Sequence, residues 1–153
     1  MLEKKVKTMS IRSAAKAVII NDGKILLNKC RDNTGEYYTL PGGGQNQCET
    51  LHEAVIRECL EETGYKVKPI KFTAMCEGIM GYLHKIYHIF ICELANKNPI
   101  TPTEKDGYQI DSVWINIDSL SKTNLLPKII GDNIHDIING TNETFLGIEY
   151  IKI

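Results

Sequence analysis

Alternation of apolar and polar positions divides the chain into short β-type runs on either side of one helical stretch. Residues 13–20 and 24–29 are apolar and β-rich, and Asn21-Asp22-Gly23 between them is a hairpin signal. The polar segment 31–36 reads as a loop and 37–40 as a short strand stopped by Pro41. Residues 66–78 and 82–94 read as strands with a turn near Gly81, and 109–117 as a strand holding the only tryptophan, Trp114. Between them 95–108 is a polar loop, Asp118 is placed to cap a short helical turn, and 145–153 alternates like a last strand. Isoleucines at 129, 130, 134, 137 and 138 predict an amphipathic helix over 127–139, ending near Gly140.

The middle of the chain switches period. Thr50 followed by Glu53 is a capping-box pattern and Gly64 a stop signal, so the spacing predicts a helix over 51–63. Leu51, Val55, Ile56, Cys59 and Leu60 cover one half of it, while Glu58, Glu61 and Glu62 crowd an arc of about 100° beside that half. A solvated acidic face would lie opposite the apolar stripe and favour the first turn. Here the acids border the stripe and crowd the last turn, where the helix dipole favours cations, and Glu58 and Glu62 form a like-charge i,i+4 pair. Rules broken this way point to a site. Divalent cations relieve the repulsion, and carboxylates without His or Cys at ligand spacing suit magnesium or manganese rather than zinc.

Composition narrows the setting. The 153 residues are 42% hydrophobic and 24% charged, ordinary for one domain with a proper core, and a net charge of −1 offers no bulk attraction for long nucleic acid or anionic membrane. Five scattered cysteines suggest reduced thiols rather than a disulfide framework. His84 and His88 would share a strand face but sit about 13 Å apart, too far for one ion. No membrane-length or secretory stretch is present, so a cytoplasmic protein is expected, with a flexible tail over 1–10, a single domain over 11–153, and a homodimer left open. The Gly42-Gly43-Gly44 run lacks the Lys-Ser/Thr of a P-loop, so it is either a tight turn or a close approach of backbone to a ligand.

Gly43, Glu49, and the run Arg57-Glu58-Cys59-Leu60-Glu61-Glu62-Thr63-Gly64-Tyr65 resemble the signature of the Nudix hydrolases, Gx5Ex7REUxEExGU, where U is a bulky apolar residue. All seven fixed positions are filled; Cys59 and Tyr65 depart mildly at U positions. The resemblance implies the Nudix fold, an α/β architecture with a mixed β-sheet between helices, and cleavage within the diphosphate bridge of a small nucleotide derivative. It implies Glu58 and Glu62 as metal ligands, Glu61 as ligand to a second ion or as base, and the Gly42 carbonyl as a further ligand, with Mg2+ as cofactor and Mn2+ as substitute. Gly43 and Gly44 would bring backbone close to a diphosphate, and Arg57 would orient carboxylates with Glu49 as partner. Family members also recruit a carboxylate from a later loop, for which Glu104 is the first choice and Asp106 the second. Tyr82, seventeen positions after Tyr65, falls near a tyrosine of the diadenosine polyphosphate hydrolases in this family and is a candidate substrate contact. A nucleotide sensor and an RNA-end processing enzyme are the alternatives; intact acids weigh against the first, near-neutral charge against the second.

Overall fold

The computed structural model describes residues 9–105 and 107–152. Asp22 and Gly23 both take positive φ, which a two-residue hairpin between right-twisted strands requires, and they join β1 (Ser10–Asn21) to β2 (Lys24–Asp32). The two strands pair only beside that turn, at Ile20 with Ile25 and Asn21 with Lys24. β2 then pairs with β3 (Gly35–Thr39) and β7 (Gln109–Asn116), whereas β1 pairs in parallel with β6 (Leu83–Leu94) and in antiparallel with β4 (Gly42–Gly44). β5 (Val67–Met80) joins β6 to the edge strand β8 (Phe145–Tyr150), giving the order β3-β2-β1-β6-β5-β8 in a mixed, eight-stranded sheet.

β1 is buried on both faces, so nearly every residue along its middle is apolar. Ala14 and Val18 face the core built with α2 (Lys128–Asn139), to which that helix adds Ile130, Ile134 and Ile137. Ala15, Ala17 and Ile19 face a second core with α1 (Leu51–Thr63), which adds Ala54, Val55 and Cys59. A helix therefore covers each face of the mixed sheet, the α/β/α layering expected.

α1 occupies the predicted span, with the Thr50–Glu53 capping box formed and Gly64 left-handed at its end. Its two unusual motif positions both pack. Cys59 is fully buried, and Tyr65 meets Trp114 edge to face at 5.7 Å while accepting from its indole N–H at 3.2 Å. Several expectations need correction. The loop set over 31–36 is mostly strand, because β2 and β3 run into a tight turn at Asn33-Thr34. The glycine run is a short strand on β1. Asp118 lies inside a 3-10 turn (Ile117–Lys122) that has no side-chain cap. Residues 1–8 of the expected tail and Asp106 lie outside the described residues.

Candidate active site

The last turn of α1 points its acids toward the place where β1 and β2 have separated. There a cavity of about 840 Å³ is lined by Gly42–Gly44, Arg57, Glu58, Glu61, Glu62 and Glu104, with Lys16 on its β1 wall.

Glu62 is the most constrained acid. It is 4% exposed, and its Oε2 accepts from the Gly42 amide at 2.9 Å and from Asn28 Nδ2 at 2.8 Å. Burial pushes its carboxyl up to about 7, against the downward pull of Lys16, the Gly42 N–H and Asn28. The Asn28 amide is itself held in orientation, since its Oδ1 accepts from Gln109 Nε2 at 3.2 Å and Ser112 Oγ at 3.4 Å. Gln109 Nε2 also donates to the Glu62 carbonyl at 3.0 Å, so β2 and β7 grip both the side chain and the backbone of this residue. Sequence reasoning missed this network. Its one local signal is an asparagine interrupting the apolar run Ile25-Leu26-Leu27, and Asn28 is 1% exposed.

Arg57 gathers the other acids. Its Nε and Nη2 donate to the two oxygens of Glu49 at 2.6 and 2.9 Å, its Nη1 to Glu58 at 2.8 Å and Glu61 at 3.3 Å, and Nη2 also to the Gly44 carbonyl at 2.9 Å. The pairing with Glu49 and Glu58 raises the guanidinium pKa, and the same guanidinium holds the Glu49 carboxyl below its usual range. A bidentate, five-contact arginine fixes orientation in a way that a lysine could not.

The glycines make room. Gly42 has φ +126°, and a Cβ there would meet the Ala15 carbonyl at 2.1 Å; at Gly43 a Cβ would lie 2.6 Å from Glu58 Cδ. The Gly42 carbonyl accepts from Lys16 Nζ at 2.8 Å, so a positive charge already stands at the oxygen expected to bind metal. Among the described residues, no three His, Cys, Asp or Glu side chains gather closely enough to form an ion site as they stand. Arg57 bonds Glu58 and Glu61, whereas Glu62 is turned onto Asn28 and Gly42. The donor set of carboxylates with a backbone carbonyl fits a hard divalent cation.

Glu104 joins the cavity because its loop is sewn to the end of α1. The Thr103 and Glu104 amides donate to the Glu61 carbonyl at 3.0 and 3.1 Å, and the Ile100 amide to the Gly64 carbonyl at 2.9 Å. These bonds satisfy carbonyls that a helix end leaves open. Tyr82 is placed differently: it sits on the β5–β6 turn, 53% exposed, and does not line the cavity, whereas Tyr87 on β6 does. His84 pairs with Glu77, and His88 lies within 3.2 Å of the Ala14 carbonyl, so the two histidines serve different neighbours.

A family model for the NUDIX domain matches residues 10–133. The chain belongs to the Nudix family. It is thus a hydrolase of phosphorus-containing anhydrides, in a family that uses divalent metals and acts on small nucleotide derivatives. A nucleoside triphosphatase NudI from Enterobacter sp. (strain 638) is 31% identical, the match covering 76% of this chain and 90% of that protein. In fold the chain resembles a NUDIX hydrolase from Nitrosomonas europaea, with TM-score 0.73, 21% identity, and 88% and 93% of the two chains covered. It also resembles a MutT protein from Methanosarcina mazei Go1, with TM-score 0.68, 21% identity, and 90% and 99% covered. No helix among the described residues is long and apolar enough to cross a membrane.

Proposed function

We propose that this Nudix enzyme is a magnesium-dependent pyrophosphohydrolase of the cytoplasm, with one Nudix domain over 11–153, that cleaves nucleoside triphosphates within the phosphate chain. The observation that carries this reading is the meeting of three box glutamates, the Gly42 backbone and Glu104 around one cavity. The likeness to a nucleoside triphosphatase supports the choice of substrate. Glu58, Glu62 and the Gly42 carbonyl would hold the cation, with manganese as a substitute, and Glu61 would hold a second one. When bound, such ions neutralise charge developing on the non-bridging phosphate oxygens and acidify water.

The remaining roles belong to the chain's own groups. Glu104 takes the proton of the attacking water from the loop side of the cavity. Arg57 keeps Glu58 and Glu61 oriented, with Glu49 as its anchor, and Gly43 and Gly44 let the backbone approach the phosphates. Lys16, which donates to the Gly42 carbonyl and lines the same cavity, would stand beside the phosphate chain.

The test is a panel of nucleoside triphosphates, dinucleoside polyphosphates, ADP-ribose and nucleotide sugars with magnesium, reading which bond is cut. Release of pyrophosphate and a nucleoside monophosphate by the wild type, lost in Glu62→Gln, is the expected result. Turnover retained by Glu62→Gln would overturn the assignment. Glu104→Gln should lower the rate while leaving manganese affinity intact, whereas Glu61→Gln should lower both.

A further inference from the structure

The glycine that closes the Nudix box is buried, and ending α1 does not account for all of its surroundings. Gly64 takes φ +76° and its N–H donates to the Leu60 carbonyl at 2.9 Å, an ordinary left-handed helix end. The neighbour packed against it is less ordinary. A Cβ at Gly64 would stand 1.8 Å from the Ile100 carbonyl oxygen and 2.9 Å from its carbon, and backbone cannot swing aside as a side chain does. Gly140 ends α2 in the same conformation, at φ +70°, with nothing within 4 Å of the equivalent place. Left-handed backbone explains both glycines, and only the late loop explains the crowding at Gly64.

That loop meets the helix end twice. The Ile100 amide donates to the Gly64 carbonyl at 2.9 Å, and one turn back the Glu61 carbonyl accepts from the Thr103 and Glu104 amides at 3.0 and 3.1 Å. Only Thr101 and Pro102 lie between the two anchors, and the proline ring fixes its own φ, so a displacement of Ile100 passes on to Glu104. Resting on the hydrolase reading above, in which Glu104 takes a proton from water, we infer that Gly64 is a positioning residue for Glu104. Its bare Cα seats the Ile100 peptide on the end of α1, and that seat sets where the Glu104 carboxylate stands among the box acids. An added Cβ would push the peptide back by roughly an ångström, and misplacing a reacting group by about 1 Å can slow a reaction on the order of 100-fold.

The experiment compares wild type with Gly64→Ala, with Gly140→Ala as the control for left-handed strain alone, and repeats Gly64→Ala in a Glu104→Gln background. Circular dichroism checks folding. Amide hydrogen exchange at Thr103 and Glu104 is read by NMR without substrate or metal, kcat and KM on the best nucleoside triphosphate, and manganese affinity by calorimetry. In Gly64→Ala both amides should exchange at least about tenfold faster, whereas in Gly140→Ala they should stay within about 2-fold of wild type. Gly64→Ala should also lower kcat about 10- to 100-fold, with KM and manganese affinity within about 3-fold. In the Glu104→Gln background the same substitution should cost less than about 2-fold more, because the group it misplaces is already gone. Should Gly64→Ala not fold, Thr103→Pro removes one loop anchor with the glycine intact, and the same expectations hold for the Glu104 amide and for kcat. Unchanged exchange in a folded Gly64→Ala would overturn the inference, and so would a loss of kcat that multiplies with that of Glu104→Gln. Full activity in Glu104→Gln, or a wild type inactive on every nucleotide, would strike the hydrolase reading, while exchange still decides whether Gly64 seats the loop.

Discussion

The two helices flank one sheet and follow opposite rules. α2 buries Ile130, Ile134 and Ile137, one apolar stripe against one core. α1 begins in the same way with Ala54, Val55 and Cys59, but its buried set then continues with Glu62, a carboxylate where α2 has Ile137. That substitution costs stability, because an acid at 4% exposure must be desolvated, and three strands are committed to holding it. One helix is spent on cohesion, and the other gives up part of its cohesion for a charged site.

Changing this matched pair of buried positions, one in each helix, should separate the two roles most sharply. Glu62→Gln keeps the shape but removes the charge, and turnover should fall at least on the order of a thousandfold, with the helical circular dichroism signal unchanged. The mirror change, Ile137→Ala, should lower unfolding free energy by about 2–5 kcal/mol in denaturant melts while kcat of the folded fraction stays near wild type. Loss of activity in the second, or of fold in the first, would erase the contrast.

Support beneath α1 is the next place to press. Asn28→Leu deletes the donor to Glu62 Oε2 and strips Gln109 and Ser112 of an acceptor. Manganese affinity by calorimetry should drop about 10- to 100-fold, the usual consequence of losing the partner that orients a metal ligand. Nucleotide KM at saturating metal should move little. A variant that merely melts earlier, with manganese affinity intact, would reduce Asn28 to a packing residue.

This network also marks the limit of what the chain discloses before it folds. α1 was legible to the residue because its signals are local: Thr50 and Glu53 at one end, Gly64 at the other, and acids whose spacing survives in any context. The pairing of Arg57 with Glu49 was expected from the family resemblance of that stretch rather than from its spacing. β4 was not legible, since three glycines carry no side-chain pattern and their strand character comes from pairing with Ala14, Ala15 and Lys16 almost thirty residues earlier. Asn28, Gln109 and Ser112 come from two strands far apart in sequence, and each alone reads as an ordinary polar residue.

A smaller effect tests the glycines beside each helix. At Gly43 an added Cβ would lie 2.6 Å from Glu58 Cδ, and at Gly131 in α2 it would lie 2.5 Å from the Leu125 carbonyl oxygen. Gly43→Ala pushes against a movable carboxylate, so the fold should tolerate it while metal affinity falls about tenfold. Gly131→Ala pushes against backbone, and the gain of up to about 1 kcal/mol that alanine normally brings to a helix interior should turn into a loss. Thermal melts and manganese titrations of both variants should therefore change in opposite columns.

The smallest expected effect compares two ion pairs of equal length. Lys128 Nζ to Asp132 and Arg57 Nε to Glu49 are both 2.6 Å. In α2 the side chains are 72% and 58% exposed, so water screens their attraction and two flexible chains must be held still. Lys128 also sits at the first turn of its helix, where the dipole disfavours a cation. In α1 the arginine is 28% and Glu49 13% exposed, and the same guanidinium holds two further carboxylates and a carbonyl. Lys128→Ala should shift the melting temperature by less than about 2 °C and leave kcat and metal affinity unchanged. A larger shift would mean that length alone sets the worth of such pairs, and Arg57 would then owe nothing to its depth or to the number of groups it joins.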